Sequence, residues 1–144
     1  MLKRFLYTDI SKTTLLIRIM VGVVFLSEGI QKYLFPALRG VGRFDAIGLP
    51  SPEFLAYFVG AFEIVCGILI LIGLFTRFSA APLFIIITVA ILSTKIEILS
   101  DKGFWAMMHE VRTDFSMFLG SIFLLIKGGG FWSLDLKWFR NVKK

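Results

Sequence analysis

One apolar run of membrane length that carries charges constrains this chain more than any other feature. Residues 15–35 read LLIRIMVGVVFLSEGIQKYLF and, at 1.5 Å per residue, form a helix long enough to cross a bilayer. The run contains Arg18, Glu28 and Lys32. Each charge inside hydrocarbon costs roughly 2.5–3.5 kcal/mol on insertion scales, so these side chains must meet protein or water rather than lipid. The helix therefore predicts polar partners on other helices.

The composition assigns the chain to the membrane proteins. Its 144 residues fit one domain, and 57% hydrophobic residues with a mean hydropathy of +0.83 are too apolar for a soluble one. The net charge of +6 comes from basic residues at the ends of the apolar runs, which is typical of membrane topology and excludes nucleic acid as the expected partner. The single cysteine, Cys66, cannot form a disulfide within the chain and is expected to serve packing.

The apolar runs predict an all-α, four-transmembrane-helix bundle as a single domain over residues 1–144. The expected spans are residues 15–35, 54–75, 79–99 and 111–127. Between them we expect a loop at 36–53 with a short helix near 43–47, a start at Ser79 that puts Pro82 in the first turn of the third span, and a mixed loop at 100–112. The basic, aromatic tail 131–144 is expected to lie on an anionic leaflet.

Four spans place both termini on the same side of the membrane. Nine basic residues then fall on that side against six on the other, which favours a cytoplasmic N-terminus and C-terminus. The predicted location is the inner (plasma) membrane, crossed several times, with the lipid bilayer as the first partner.

The predicted depths of the ionisable residues describe a polar funnel. At 1.5 Å per residue Glu63 lies near the midplane, Glu28 about 5 Å and Asp114 about 7 Å toward the outside, with Lys95 and Lys32 at about 9–10 Å. Arg18 lies about 10 Å toward the cytoplasm and can snorkel or bind backbone carbonyls.

Glu63 and Glu28 are the candidate catalytic residues of this funnel, and Arg18, Lys32, Lys95 and Asp114 are the candidate binding residues. A structural interpretation stays open beside this one. Most of these side chains lie close enough to an interface to be solvated, and Glu28 could simply pair with Lys32 one turn away. Glu63 is the exception, because a midplane carboxylate must be protonated, paired or functional.

Three blocks of the sequence resemble the DoxX family of small four-helix membrane proteins. They are Arg18 with Gly22, Gly29 and Lys32, then FDAIGLPSPEFLAYFVGAFEIVCGILILIGLFTR, then GGGFWSLD. The second block, with Glu63 and Arg77, is the most specific. This chain carries Glu28 where many members have histidine or another polar residue. The resemblance implies a redox role, because related DoxD-type subunits are associated with thiosulfate:quinone oxidoreductase in archaea.

Two functions follow as hypotheses. In the first, the chain is a redox-linked subunit that binds a quinone or small anion, relays protons and works with a soluble or membrane redox partner; whether it is itself an enzyme stays open. The sequence contains no CxxC, haem-histidine pair or nucleotide-binding glycine motif, so no metal, haem or nucleotide cofactor is expected. In the second, it is a non-enzymatic scaffold or small-solute carrier whose charges are structural. A homo-oligomer fits either function.

Overall fold

The computed structural model describes residues 8–139, and this part of the chain is helical without a strand. In chain order the helices are α1 (Thr14–Leu34), α2 (Pro36–Arg39), α3 (Val41–Ala46), α4 (Pro52–Ile72), α5 (Thr76–Lys102), α6 (Phe104–Lys127) and α7 (Leu134–Phe139). The predicted all-α class is confirmed.

Within residues 8–139, three helices are long and apolar enough to cross a membrane. They are α1 and α4, with 21 residues each, and α5, with 27 residues. At 1.5 Å per residue these helices are about 32, 32 and 40 Å long, against a hydrocarbon core of about 30 Å. The 24-residue α6 is less apolar, because its first half contains His109, Glu110 and Arg112. The fourth predicted span therefore stays a prediction.

The predicted loop at 100–112 is wrong. Helix α5 continues to Lys102 and α6 begins at Phe104, so only Gly103 separates them. Gly103 has a φ of 83°, which a residue with a side chain rarely adopts, and this backbone turn replaces a loop. The polarity of SDKGFWAMMHEVR predicts a loop. A helix that leaves the hydrocarbon layer can nevertheless continue through polar residues, because they are then solvated.

The start of α5 also differs from the prediction. The helix begins at Thr76 rather than Ser79, which puts Pro82 inside the helix and not in its first turn. The predicted short helix at 43–47 is present as α3, beginning two residues earlier at Val41.

Helix α1 packs most extensively against α4, and α5 packs most extensively against α6. Glycines allow the close approach of α1 and α4. A Cβ atom on Gly29 would lie 2.8 Å from the carbonyl oxygen of Gly60, and one on Gly67 would lie 3.0 Å from the backbone nitrogen of Leu26. Small residues permit this kind of backbone contact in membrane helices. Gly60 and Gly67, which flank Glu63 in α4, therefore admit the backbone of α1.

The first test concerns this close contact. We expect Gly29→Leu to lower the unfolding midpoint in detergent, because the new side chain meets backbone of α4 and overpacking costs about 1–3 kcal/mol or more. Val23→Leu, on the exposed face of the same helix, is the matched control and should leave the midpoint unchanged. Equal midpoints for the two variants would show that α1 and α4 are not this close.

Candidate functional site

A buried ion pair joins the two most closely packed helices. The Nζ atom of Lys32, in the last turn of α1, lies 2.6 Å from Oε2 of Glu63, at the centre of α4. The two side chains are only 9% and 5% exposed. Each charge thus obtains from the other helix the partner that hydrocarbon cannot supply. Removing one member of such a pair typically costs about 3–5 kcal/mol, because the other charge stays buried.

Glu28 lies beside this pair, but its carboxylate is not the partner of Lys32. The ammonium of Lys32 contacts the backbone carbonyl oxygen of Glu28 at 3.5 Å, while its short contact is with the Glu63 carboxylate. The carboxyl group of Glu28 is close enough to interact electrostatically with that of Glu63. The local pair between Glu28 and Lys32 that the sequence allows is thus not the ion pair that forms.

A second ion pair joins α5 and α6. The Nζ atom of Lys95 lies 3.2 Å from Oδ2 of Asp114, and the two side chains are 10% and 28% exposed. No hydrogen bond or ion pair described between residues 8 and 139 connects it to the Lys32–Glu63 pair. Each of the two closely packed helix pairs therefore contains its own compensated lysine.

Arg18 is hydrogen-bonded to backbone carbonyls, and the carboxylate of Asp135 is close enough to interact with it electrostatically. Its side chain lies in α1, the residue is 2% exposed, and its guanidinium donates to four carbonyl oxygens. Two belong to the end of α4, with Nε 2.8 Å from Ile70 O and Nη2 2.5 Å from Leu71 O. The other two, Gly129 O and Trp132 O, belong to the segment that follows α6. Of the two predicted environments for Arg18, the structure shows the carbonyl-bound one.

The C-terminal segment, residues 128–135, is held by a second set of contacts that sequence analysis did not find. The carboxylate of Asp135 accepts hydrogen bonds from the backbone N–H groups of Phe75 and Thr76, at 2.6 and 2.9 Å. These groups lie at the N-terminus of α5, so Asp135 caps that helix. The backbone N–H of Asp135 also donates to Gly73 O at 2.9 Å. A cap supplied from 59 residues away leaves no local pattern in the sequence.

The residues before α1 bind the same segment. The backbone N–H of Gly130 donates to Oγ1 of Thr8 at 2.7 Å, and that of Phe131 donates to Ser11 O at 3.1 Å. Lys127 and Asp9 form an exposed ion pair at 2.9 Å, and the hydrogen bond from Lys127 lowers the pKa of the Asp9 carboxyl. The two ends of the described chain therefore meet at one end of the helices.

The predicted surface tail lies partly outside the described residues. Ser133 and Asp135 are buried, whereas Phe131, Trp132 and Trp138 are exposed. Residues 140–144 of the tail, together with Lys3 and Arg4, which entered the topology prediction, lie outside the part that the structure describes. Contact of the tail with an anionic leaflet stays a prediction.

The sequence profile of the DoxX family matches residues 13–96, which include Arg18 and both members of the Lys32–Glu63 pair. The chain belongs to the DoxX family. It is a membrane protein with three candidate spans. Asp114 and Asp135 lie beyond the matched residues, although they complete the second ion pair and the cap of α5.

Two relatives match most of this DoxX protein. An "Uncharacterized membrane protein Rv3486" of Mycobacterium tuberculosis is 49% identical over 138 residues, covering 92% of this chain and 85% of the relative. A "Putative oxidoreductase CatD" of Bacillus subtilis is 32% identical over 131 residues, covering 90% of each chain. No solved structure matches the chain significantly.

The second test concerns the carbonyl ligands of Arg18. We expect Arg18→Lys to lower the unfolding midpoint in detergent. A single ammonium cannot donate to all the carbonyl oxygens that the planar guanidinium binds at the same time. Each buried carbonyl left unsatisfied costs about 1–3 kcal/mol. Arg43→Lys, at an exposed position of α3, is the control. Equal losses in the two variants would contradict the carbonyl-bound arrangement.

The third test concerns the cap from Asp135. We expect Asp135→Ala to destabilise the protein by about 0.5–2 kcal/mol, the usual cost of a lost N-cap, and Asp135→Asn to recover part of that loss because its amide oxygen still accepts a hydrogen bond. Hydrogen exchange should increase in the first turn of α5. Asp101→Ala, exposed near the other end of that helix, should have neither effect. Unchanged exchange in the Asp135→Ala variant would exclude the capping role.

Proposed function

We propose that this DoxX protein is a redox-linked subunit of the plasma membrane whose Lys32–Glu63 pair binds a quinone headgroup or a small anion and relays protons. The observation that carries the proposal is the burial of this pair between α1 and α4. Intramembrane carboxylates with a basic partner commonly mark ligand or proton sites. The name of the Bacillus subtilis relative favours the oxidoreductase class over other membrane functions.

A four-crossing topology with both termini in the cytoplasm is part of the proposal. Residues 8–11 contact residues 127–131, so both ends of the described chain meet at one end of the helices, which supports an even number of crossings. Helix α6 is the fourth crossing beside the three apolar helices, because its 24 residues are about 36 Å long and it returns along α5 after the turn at Gly103. Its polar first half then lies toward the outer surface.

The donors and acceptors of the site fit a quinone headgroup. The Lys32 ammonium has three N–H donors, and its described contacts engage the Glu63 carboxylate and the Glu28 carbonyl. A third donor can bind a quinone oxygen or an anion. The carboxylates of Glu63 and Glu28 can accept protons in sequence, since Glu28 is half-buried and Glu63 is buried.

A bound quinol supplies two electrons and two protons on oxidation. This chain's carboxylates would take the protons, while the electrons would pass to a partner subunit, since the sequence contains no motif for a redox centre of its own. The partner subunit is therefore an essential part of the proposal.

The fourth test separates chemistry from stability at this pair. We expect Glu63→Gln to abolish quinone-dependent turnover of the complex assembled with its redox partner, but this variant also leaves the Lys32 charge buried. The double variant Lys32→Met/Glu63→Leu removes both charges, and apolar replacement of a buried ion pair is often neutral or stabilising. We expect it to fold with an unchanged or higher unfolding midpoint and to lack quinone-dependent turnover. Normal turnover in the folded double variant would reject the proposal.

A scaffold or small-solute carrier is the second candidate, and one observation favours it. The ion pair lies beside the contact of Gly29 with Gly60, and Cβ of Glu63 is itself 2.9 Å from a Cβ built on Gly29. The charges could thus serve to align α1 and α4. In that case Glu63→Gln would lower the unfolding midpoint without changing any co-purified molecule. An absorbance scan after lipid extraction, run on the wild type and the double variant, distinguishes the two: quinone lost only from the double variant supports the redox function.

A further inference from the structure

An open groove lies where α3 meets the beginning of α4. Polar and aromatic residues line it together, among them Asp45, Ser51, Glu53, Phe54 and Phe58. Helix α4 has the length of the hydrocarbon core, so its first turn lies at the level of the lipid headgroups. A lipid is therefore the molecule at highest concentration around this groove.

Within residues 8–139, the charged residues that line the groove are both acidic. Asp45 and Glu53 are exposed, and neither carboxylate takes part in an ion pair within that range. Two carboxylates at a membrane surface repel anionic headgroups and attract a headgroup that carries an ammonium.

The beginning of α4 offers hydrogen-bond donors beside these carboxylates. The N–H groups of Glu53 and Phe54 belong to the first turn of the helix, where backbone donors have no acceptor within the helix. Ser51, the N-cap residue, lines the groove and makes no side-chain cap bond. Such donors at a helix N-terminus bind phosphate oxygens. The groove thus combines a phosphate-binding end with an ammonium-binding pair.

An apolar track continues from the groove along α4. Phe54, Phe58 and Phe62 form a ladder, with ring centroids 5.5 and 4.8 Å apart, on the exposed side of the helix. Phe58 and Phe62 also line a smaller apolar groove against Pro82 and Ile85 of α5. Because Phe58 belongs to both grooves, an acyl chain can follow the ladder from the headgroup level toward the bilayer centre.

We propose that this groove is a specific binding site for an aminophospholipid of the phosphatidylethanolamine type. The ammonium lies between Asp45 and Glu53, the phosphate binds Ser51 and the first turn of α4, and one acyl chain packs on the phenylalanine ladder. Phosphatidylglycerol lacks the ammonium and brings a net negative charge to the carboxylates. Phosphatidylcholine has a positive charge but no N–H to donate. The Lys32–Glu63 pair is not part of this site, so the lipid proposal does not depend on the redox proposal.

The test is a lipid competition read by native mass spectrometry of the full chain. Phosphatidylethanolamine, phosphatidylcholine and phosphatidylglycerol with identical acyl chains are offered together in detergent. Exposed ion pairs contribute modestly, so we expect about a fivefold preference for phosphatidylethanolamine over phosphatidylglycerol, with phosphatidylcholine between them. Equal binding of the three lipids, or a preference for phosphatidylglycerol, would overturn the proposal.

The variant Asp45→Asn/Glu53→Gln assigns the preference to the groove. Both positions are exposed, so the fold should persist, and we expect the ratio of phosphatidylethanolamine to phosphatidylglycerol to fall to about one. Glu97→Gln/Asp101→Asn, which removes two exposed carboxylates of α5 outside the groove, is the matched control and should keep the wild-type ratio. A preference that persists in the groove variant, or disappears equally in the control, would contradict the site.

Discussion

Compensation of buried cations inside the protein is the constraint on which this structure depends. Arg18, Lys32 and Lys95 are each at least 90% buried, and hydrocarbon offers none of them a counter-charge or a hydrogen bond. Lys32 binds a buried carboxylate, Lys95 binds a partly exposed one, and Arg18 binds only carbonyl oxygens through its described hydrogen bonds. The three solutions fix different parts of the chain. The two lysines each align a closely packed helix pair, and the arginine connects the ends of the chain to the helices.

The Arg18 contacts explain why the segment after α6 packs against the helices. The last carbonyl groups of α4 lack regular helical donors, although Ile70 O also accepts from the backbone N–H of Gly73. A guanidinium can donate to several such carbonyls in one plane, as Arg18 does to Ile70 O and Leu71 O. The same guanidinium binds Gly129 O, so the C-terminal segment completes a set of ligands that α4 alone leaves incomplete. Once that segment is in place, Asp135 reaches the N-terminus of α5. One buried charge thus leads to a helix cap on a different element.

The sequence was informative where hydrophobicity and spacing act locally. The apolar runs located α1, α4 and α5. The sequence does not show which of several distant residues a given side chain contacts. Lys32 could pair with Glu28 one turn away, yet the structure joins it to Glu63, 31 residues along the chain, because helix packing decides which carboxylate it meets. The cap from Asp135 was missed for the same reason, and the turn at Gly103 was missed because polarity was interpreted as a loop.

The rigidity of the α1–α4 interface bears on both proposed functions. A proton-relay site needs groups held in fixed positions, because a carboxylate that can turn toward water loses the environment that tunes it. Glycine contacts hold the backbones of α1 and α4 together on either side of Glu63, so the position of its carboxylate is set by packing rather than by the ion pair alone. The glycine contacts and the ion pair therefore both join α1 and α4. A charged pair between two helices that glycines also join is more costly than apolar residues would be, and this cost is the strongest structural argument that it serves a function.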